Sequence, residues 1–238
     1  MRLKAIDAAY QFVADTFPGC KVAFLAGSAS RGEDKPTSDL DLVVILREGE
    51  PAGYRESFER YGWKLEVFIH NEHTYMPQFE KERIDGKPIL SAMMLEGIVL
   101  IEEKPGLAEP FKAAAGSSLA QGPEPLTQAF VDASRYFMFD FVDDFEDAVD
   151  EREAIMTLNA MSVRLGDFIL RLNGRWSGSG KTMTRALYRM DPELADRYFA
   201  ALDAYYTRRD KAPMIQFVYS IYEPLGGRLY DGFSMGKH

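Results

Sequence analysis

A chain of 238 residues, 46% hydrophobic and 27% charged, has the make-up of an ordinary globular protein and is long enough for one large domain or two small ones. Its formal net charge of −9 argues against a surface built to hold long nucleic acid, because such binding is dominated by neutralising phosphates. The single cysteine, Cys20, excludes an internal disulfide, and every apolar run is broken by charge, Gly or Pro before it could span a bilayer.

In chain order, Leu3, Ile6, Tyr10, Val13 and Phe17 fall at helical spacing without a secretory pattern, so the N-terminus reads as part of the fold of a cytoplasmic protein. A short β-prone run, about residues 21–26, stops at Gly27–Ser28. A second apolar run, 40–46, opens with Asp39 and Asp41 on either side of Leu40. The pattern then predicts a short helix over 54–61, a third strand over 63–70, a helix over 72–83, a turn at 85–88, another helix over 89–96 and a fourth strand over 97–101. Residues 102–126 carry four prolines and three glycines around a helix expected at 107–119. Beyond them strand signals almost vanish. Two long helices are expected over 126–173, divided near Asp150. A glycine-rich interruption at 175–181 precedes helices over 182–190, 192–206 and 212–222. Asp191–Pro192 makes a sound helix start, and residues 229–233 are expected to tuck back on the bundle. The fold class expected is α+β: a small mixed sheet with flanking helices over 1–104, a linker with a short helix over 105–125, and an all-helical bundle over 126–238.

The chemistry concentrates in the stretch 22–46. Strand side chains repeat every two residues, so Asp39 and Asp41 project from one face. Two carboxylates so placed are costly unless a cation sits between them, and hard oxygen ligands suit magnesium or manganese. Glu66, an acid between Leu65 and Val67, has its natural place beside the acids of another strand. Asp39, Asp41 and Glu66 together can hold two divalent ions, and ions about 3.5–4 Å apart can clamp the attacking and leaving oxygens of a phosphoryl displacement. Gly27 allows the backbone to approach a phosphate, and Ser28 and nearby amides can donate hydrogen bonds to it. A helix starting at Ser28 would add its N-terminal dipole. Arg31 is placed either for the same phosphates or for an ion pair with Glu33 or Asp34.

Gly27–Ser28, ten intervening residues, Asp39-x-Asp41 and a separate strand acid resemble the DNA polymerase beta superfamily of nucleotidyltransferases, and the segment 27–32, GSASRG, resembles its small bacterial branch. The resemblance implies transfer of a nucleoside monophosphate from a triphosphate to an acceptor hydroxyl, with release of pyrophosphate. It implies that Asp39 and Asp41 bind both of two Mg2+ ions (or Mn2+), and that Glu66, where polymerases more often have Asp, binds the one that activates the acceptor. ATP is the expected nucleotide by the usage of the family. The helical half resembles, less specifically, the second domains of bacterial antibiotic nucleotidyltransferases, which help to form the acceptor site.

In that half, residues 132–153 carry nine acids against Arg135 and Arg152. Asp140 and Asp144 stand one helical turn apart, as do Asp143 and Asp147, and like charges at that spacing call for an offset. The stretch is either a solvated face or a seat for a cationic acceptor such as an aminosugar. Arg164, Arg171, Arg175, Lys181, Arg185 and Arg189, with Asp167 as the one acid among them, can neutralise it. Trp176 opens the sequence WSGSGK, whose glycines and Lys181 are suited either to phosphate or acceptor contact or simply to joining two helices; the spacing is not that of a Walker A loop. His70 and His73, without cysteines, read as surface polar residues and not as zinc ligands. The expected partners are a nucleoside triphosphate and a small-molecule acceptor, with neither long nucleic acid nor membrane. A protein acceptor, as for antitoxin nucleotidyltransferases, and a non-catalytic nucleotide-binding module are the competing readings.

Overall fold

The computed structural model describes residues 2–236 and divides into two compact units, with the boundary between Gly122 and Pro123.

The first unit is built on a five-stranded mixed sheet. Its strands are β1 (Val22–Ala26), β2 (Leu40–Ile45), β3 (Tyr54–Arg60), β4 (Trp63–His70) and β5 (Ile98–Glu102), in the order β3-β4-β2-β1-β5. β2 and β4 run parallel, and the remaining pairs are antiparallel. The apolar runs VAFLA and LDLVVI occupy the middle, where both faces of the sheet are covered. On one face α1 (Ala5–Thr16) packs Ala8, Phe12 and Val13 against Leu25, Leu42, Val44, Leu65 and Val67. A single turn, α2 (Gly27–Ser30), follows β1. On the other face α3 (Tyr75–Asp85), α4 (Leu90–Glu96) and α5 (Ala108–Gln121) bring Phe79, Leu90, Met94 and Phe111 onto Val22, Phe24, Val43 and Ile45.

One element differs in type from the sequence reading. Residues 54–60, expected as helix, form edge strand β3, which pairs along its whole length with β4 through the tight Tyr61–Gly62 turn. Both turn residues have positive φ, +56° and +79°, the twist that a two-residue hairpin requires. The helix expected at 107–119, within the linker stretch 105–125, is α5. Phe111 and Ala115, four residues apart, put one apolar face of α5 into the first unit's core.

Glu82, 2% exposed, joins α3 to α4. Its carboxylate accepts hydrogen bonds from the Leu90 amide (2.5 Å), the Ser91 amide (3.1 Å) and the Ser91 hydroxyl (2.7 Å). It thereby satisfies donors at the start of α4 that no helical carbonyl can reach.

The second unit is helical: α6 (Gln128–Asp147), α7 (Glu151–Leu172), α8 (Lys181–Met190), α9 (Pro192–Arg208), α10 (Ala212–Tyr222) and a 3₁₀ turn (Glu223–Leu225). Thr127, Asp150 and Asp191 cap three of the helix starts by accepting from the amides of Phe130, Arg152 and Leu194. The core is rich in aromatics; Phe168 stacks on Tyr222 at 4.8 Å, and the buried Tyr198 hydroxyl donates to the Ser162 carbonyl. Beyond Gly226–Gly227 the chain turns back onto α6, where Phe233 and Tyr230 stack on Tyr136. No helix among the described residues is long and apolar enough to cross a membrane.

Candidate active site

Strand register builds the site. Asp41 is the pairing partner of Ala26 on β1 and of Glu66 on β4. Its neighbours Leu40 and Leu42, and Leu65 and Val67 beside Glu66, are buried against α1. Alternation therefore puts Asp41 and Glu66 on the opposite face, in line with Val43 and Phe68. Along that face, the apolar rows covered by α3, α4 and α5 give way to Asp41 and Glu66, both half-buried, and then to Asp39, which is exposed.

The end of β1 shapes the same corner. Gly27 has φ +70°, and a Cβ on it would lie 2.1 Å from Asp41 Oδ2, so the close approach of this backbone to the carboxylate depends on glycine. The connection to β2 is folded on itself. The Arg31 and Glu33 amides donate to the Ser28 carbonyl, the Ser28 and Ser38 hydroxyls are 3.3 Å apart, and Ser38 Oγ accepts from the Lys35 amide. Gly27, Asp41 and Glu66 thus meet at one end of the sheet, with Ser28 and Asp39 in the adjoining turns.

Arg55 is the residue that the sequence reading missed. From β3 its Nη2 reaches Glu66 Oε1 at 2.9 Å, while its guanidinium lies 5.4 Å from the Phe68 ring centre. Reading 54–61 as helix hid this, because only the β3–β4 register sets Arg55 diagonal to Glu66. Among the described residues no three His, Cys, Asp or Glu side chains converge as a metal-ligand group. The pairing of Glu66 with Arg55 gives a physical reason: that carboxylate is engaged by a cation of the protein's own. The donor set still fits a hard divalent cation, since carboxylates on adjacent parallel strands share a face.

Arg31 pairs with Glu33 at 3.1 Å and approaches Glu96 at 3.9 Å. His70, expected at the surface, is instead buried at the end of β4, with Nδ1 3.1 Å from Thr74 Oγ1, and burial holds its pKa below the ordinary value. His73 sits at the surface against Glu48.

Lys181, Trp176, Asp140 and Asp144 belong to the second unit. Lys181 is exposed at the first position of α8, Trp176 is half-buried, and Asp140 and Asp144 are exposed on α6. The acid-rich stretch is offset by cations that the sequence reading did not single out for it. Arg228 grips Asp143 through two 2.6 Å hydrogen bonds and holds its carboxyl below the usual range, and Arg209 pairs with Glu151. Asp132 is held by Arg135 and Asp150 by Arg152, the two cations within the stretch itself. Arg164, from the basic segment, lies over the Phe141 ring.

Residues 8–91 match the family model of the nucleotidyltransferase domain. Residues 8–91 thus carry a nucleotidyltransferase domain, and nucleotidyl transfer is the class of reaction that this domain defines. No curated protein matches the chain. The solved structure of a nucleotidyltransferase-like protein from Exiguobacterium sibiricum is similar at TM-score 0.48 and 13% identity, over 92% of this chain and 73% of that one.

Proposed function

We propose that the carboxylate corner of the first unit transfers a nucleoside monophosphate, AMP from ATP, to a hydroxyl of a small-molecule acceptor and releases pyrophosphate. The observation that carries this reading is the pairing of Asp41 with Glu66, with Gly27 packed against Asp41, at the end of the sheet that also bears Asp39. Asp39, Asp41 and Glu66 would hold two Mg2+ ions, or Mn2+, which when bound neutralise triphosphate charge and acidify the acceptor hydroxyl. Gly27 and Ser28 would hold the triphosphate through the backbone and the Ser28 hydroxyl, with Arg31 released from Glu33 to join them and Lys181 as a further contact. Asp39, Asp41 and Glu66 orient the reacting groups in line, which is the main task of a protein in phosphoryl transfer. Asp140, Asp144 and Trp176 are proposed on the acceptor side. The reading includes a reducing, cytoplasmic setting, supported by a lone buried Cys20 whose thiol pKa is pushed up to about 11 by burial.

Pyrophosphate release from ATP with Mg2+ tests the proposal. Asp41→Asn keeps the shape of the side chain but removes its charge, and is expected to lower turnover by more than about 100-fold with the fold intact. Wild-type protein that binds ATP with Mg2+ but does not turn it over would leave only the non-catalytic nucleotide-binding reading. Label passing from ATP to a protein band of a lysate, and not to small molecules, would replace the small acceptor by a protein.

A further inference from the structure

A cavity of about 640 Å3 opens where β2 and β4 begin, between the loop at 36–38 and the β3–β4 hairpin. Three cationic side chains line it, Arg2, Arg60 and Lys64, against one acid, Glu59. Among the described residues none of the three cations forms an ion pair with a carboxylate. Arg2 donates to the carbonyls of Pro36 (3.0 Å) and Ser38 (3.5 Å) and lies 3.4 Å from the centre of the Trp63 ring. Arg60 donates to the Glu59 carbonyl. These contacts fix the groups without neutralising them. In a chain of net charge −9, three uncompensated cations around one cavity are a local reversal of sign.

The position is as telling as the charge. Leu40 pairs with Leu65, so one step further along the same strands stand Asp39 and Lys64. Ser38, which lines the cavity, precedes Asp39 directly. The cavity therefore adjoins the carboxylate corner on its β4 side, whereas Gly27 and Ser28 follow β1 on the other side of β2. Its size is that of a small-molecule site.

We propose that this cavity seats an anionic group, a phosphate or carboxylate, carried by the acceptor, with Arg60 and Lys64 as its binding residues and Arg2 fixing the wall. The binding of the anion stands by itself; only its assignment to the acceptor rests on the nucleotidyl-transfer reading. An acceptor so recognised differs from one chosen by Asp140 and Asp144, which would favour a cation.

Calorimetry on the full chain with inorganic phosphate, and separately with acetate, tests this. The expected result is one anion per chain, bound about tenfold or more weakly by Arg60→Ala and by Lys64→Ala, since charge-assisted hydrogen bonds contribute at least that factor. Both side chains are exposed, so the variants keep the fold. The isotherm is expected to be unchanged by a saturating non-hydrolysable ATP analogue with Mg2+, which occupies the Gly27–Ser28 site. The tighter of the two probes identifies the anion class. Absence of anion binding, or binding unaltered in the Arg60→Ala/Lys64→Ala double variant, overturns the proposal. Displacement by the ATP analogue also overturns it, because the cavity would then belong to the nucleotide. Phosphate binding does not use Asp41, so Asp41→Asn separates failure of this proposal from failure of the transfer reading.

Discussion

Gly27 and Asp41 stand so close that the side chain of any other residue at 27 would meet the carboxylate: a Cβ there lies 2.1 Å from Asp41 Oδ2 and 3.1 Å from its Cγ. The backbone of Gly27 is also left-handed, with φ +70°. Gly27→Ala thus combines two effects. The left-handed residue costs about 1–2 kcal/mol of stability, and the carboxylate must swing away. Because a displacement of about 1 Å can cost about 100-fold in rate, turnover is expected to fall much more than stability. Denaturant unfolding and pyrophosphate release, measured side by side, check this; equal and small losses in both would show that Asp41 does not depend on its distance from Gly27.

Arg55 and Glu66 form an ion pair at the mouth of the same corner, with Arg55 the more exposed partner. Removing Arg55 is expected to change stability by less than about 1 kcal/mol, as for other solvent-screened pairs. It frees Glu66 to act as a ligand. Arg55→Ala is therefore expected to lower the Mn2+ concentration for half-maximal activity by up to about tenfold. A higher requirement would mean that Arg55 holds Glu66 in its working position.

Glu82 accepts from three donors in a place sealed from water. Glu82→Gln keeps the volume but turns an NH2 group toward amides that need an acceptor. A loss of about 2–3 kcal/mol is expected from denaturant midpoints, with the start of α4 losing hydrogen-exchange protection first. A variant as stable as wild type would show that the three bonds contribute little.

His70 supplies a pH dependence. Burial lowers its folded pKa below the 6.5 of an exposed imidazole, while its contact with Thr74 acts in the opposite direction. As pH falls through 6.5, the unfolded chain takes up a proton that the folded chain resists, so unfolding becomes easier. The stability is fully present above 6.5 and declines as pH falls toward the folded pKa. Unfolding free energies at pH 7.5 and 5.5 are expected to fall further for wild type than for His70→Gln. Parallel curves would remove His70 as the cause.

The parts of this protein legible in sequence are those whose signals are local. LDLVVI reads as a buried strand from its unbroken apolar run, and Asp150 and Asp191 announce helix starts because a capping side chain serves its own helix. The shared face of Asp39 and Asp41 follows from strand alternation alone. What was hidden depends on partners distant in sequence. YRESFER is almost wholly exposed and has no apolar row to mark it, so its identity as β3 comes from pairing with β4. The same pairing brings Arg55 to Glu66. Tyr61 adopts a left-handed conformation without the Asn-Gly signal that usually marks such a turn. Glu82 sits in FEKERID, a stretch that looks solvated, and its burial is decided by α4 eight residues later.

β3 has a bearing on how the protein avoids its own kind. As an edge strand it offers a row of backbone groups to any extended chain that passes. Arg55, Glu56, Glu59 and Arg60 stand along it, exposed and mixed in sign. An incoming strand would have to strip water from these charges before gaining its first ladder bond. The sheet is thereby protected from growing by strand addition at this border, and the carboxylate corner beside it stays free of unwanted β contacts while the chain is folding.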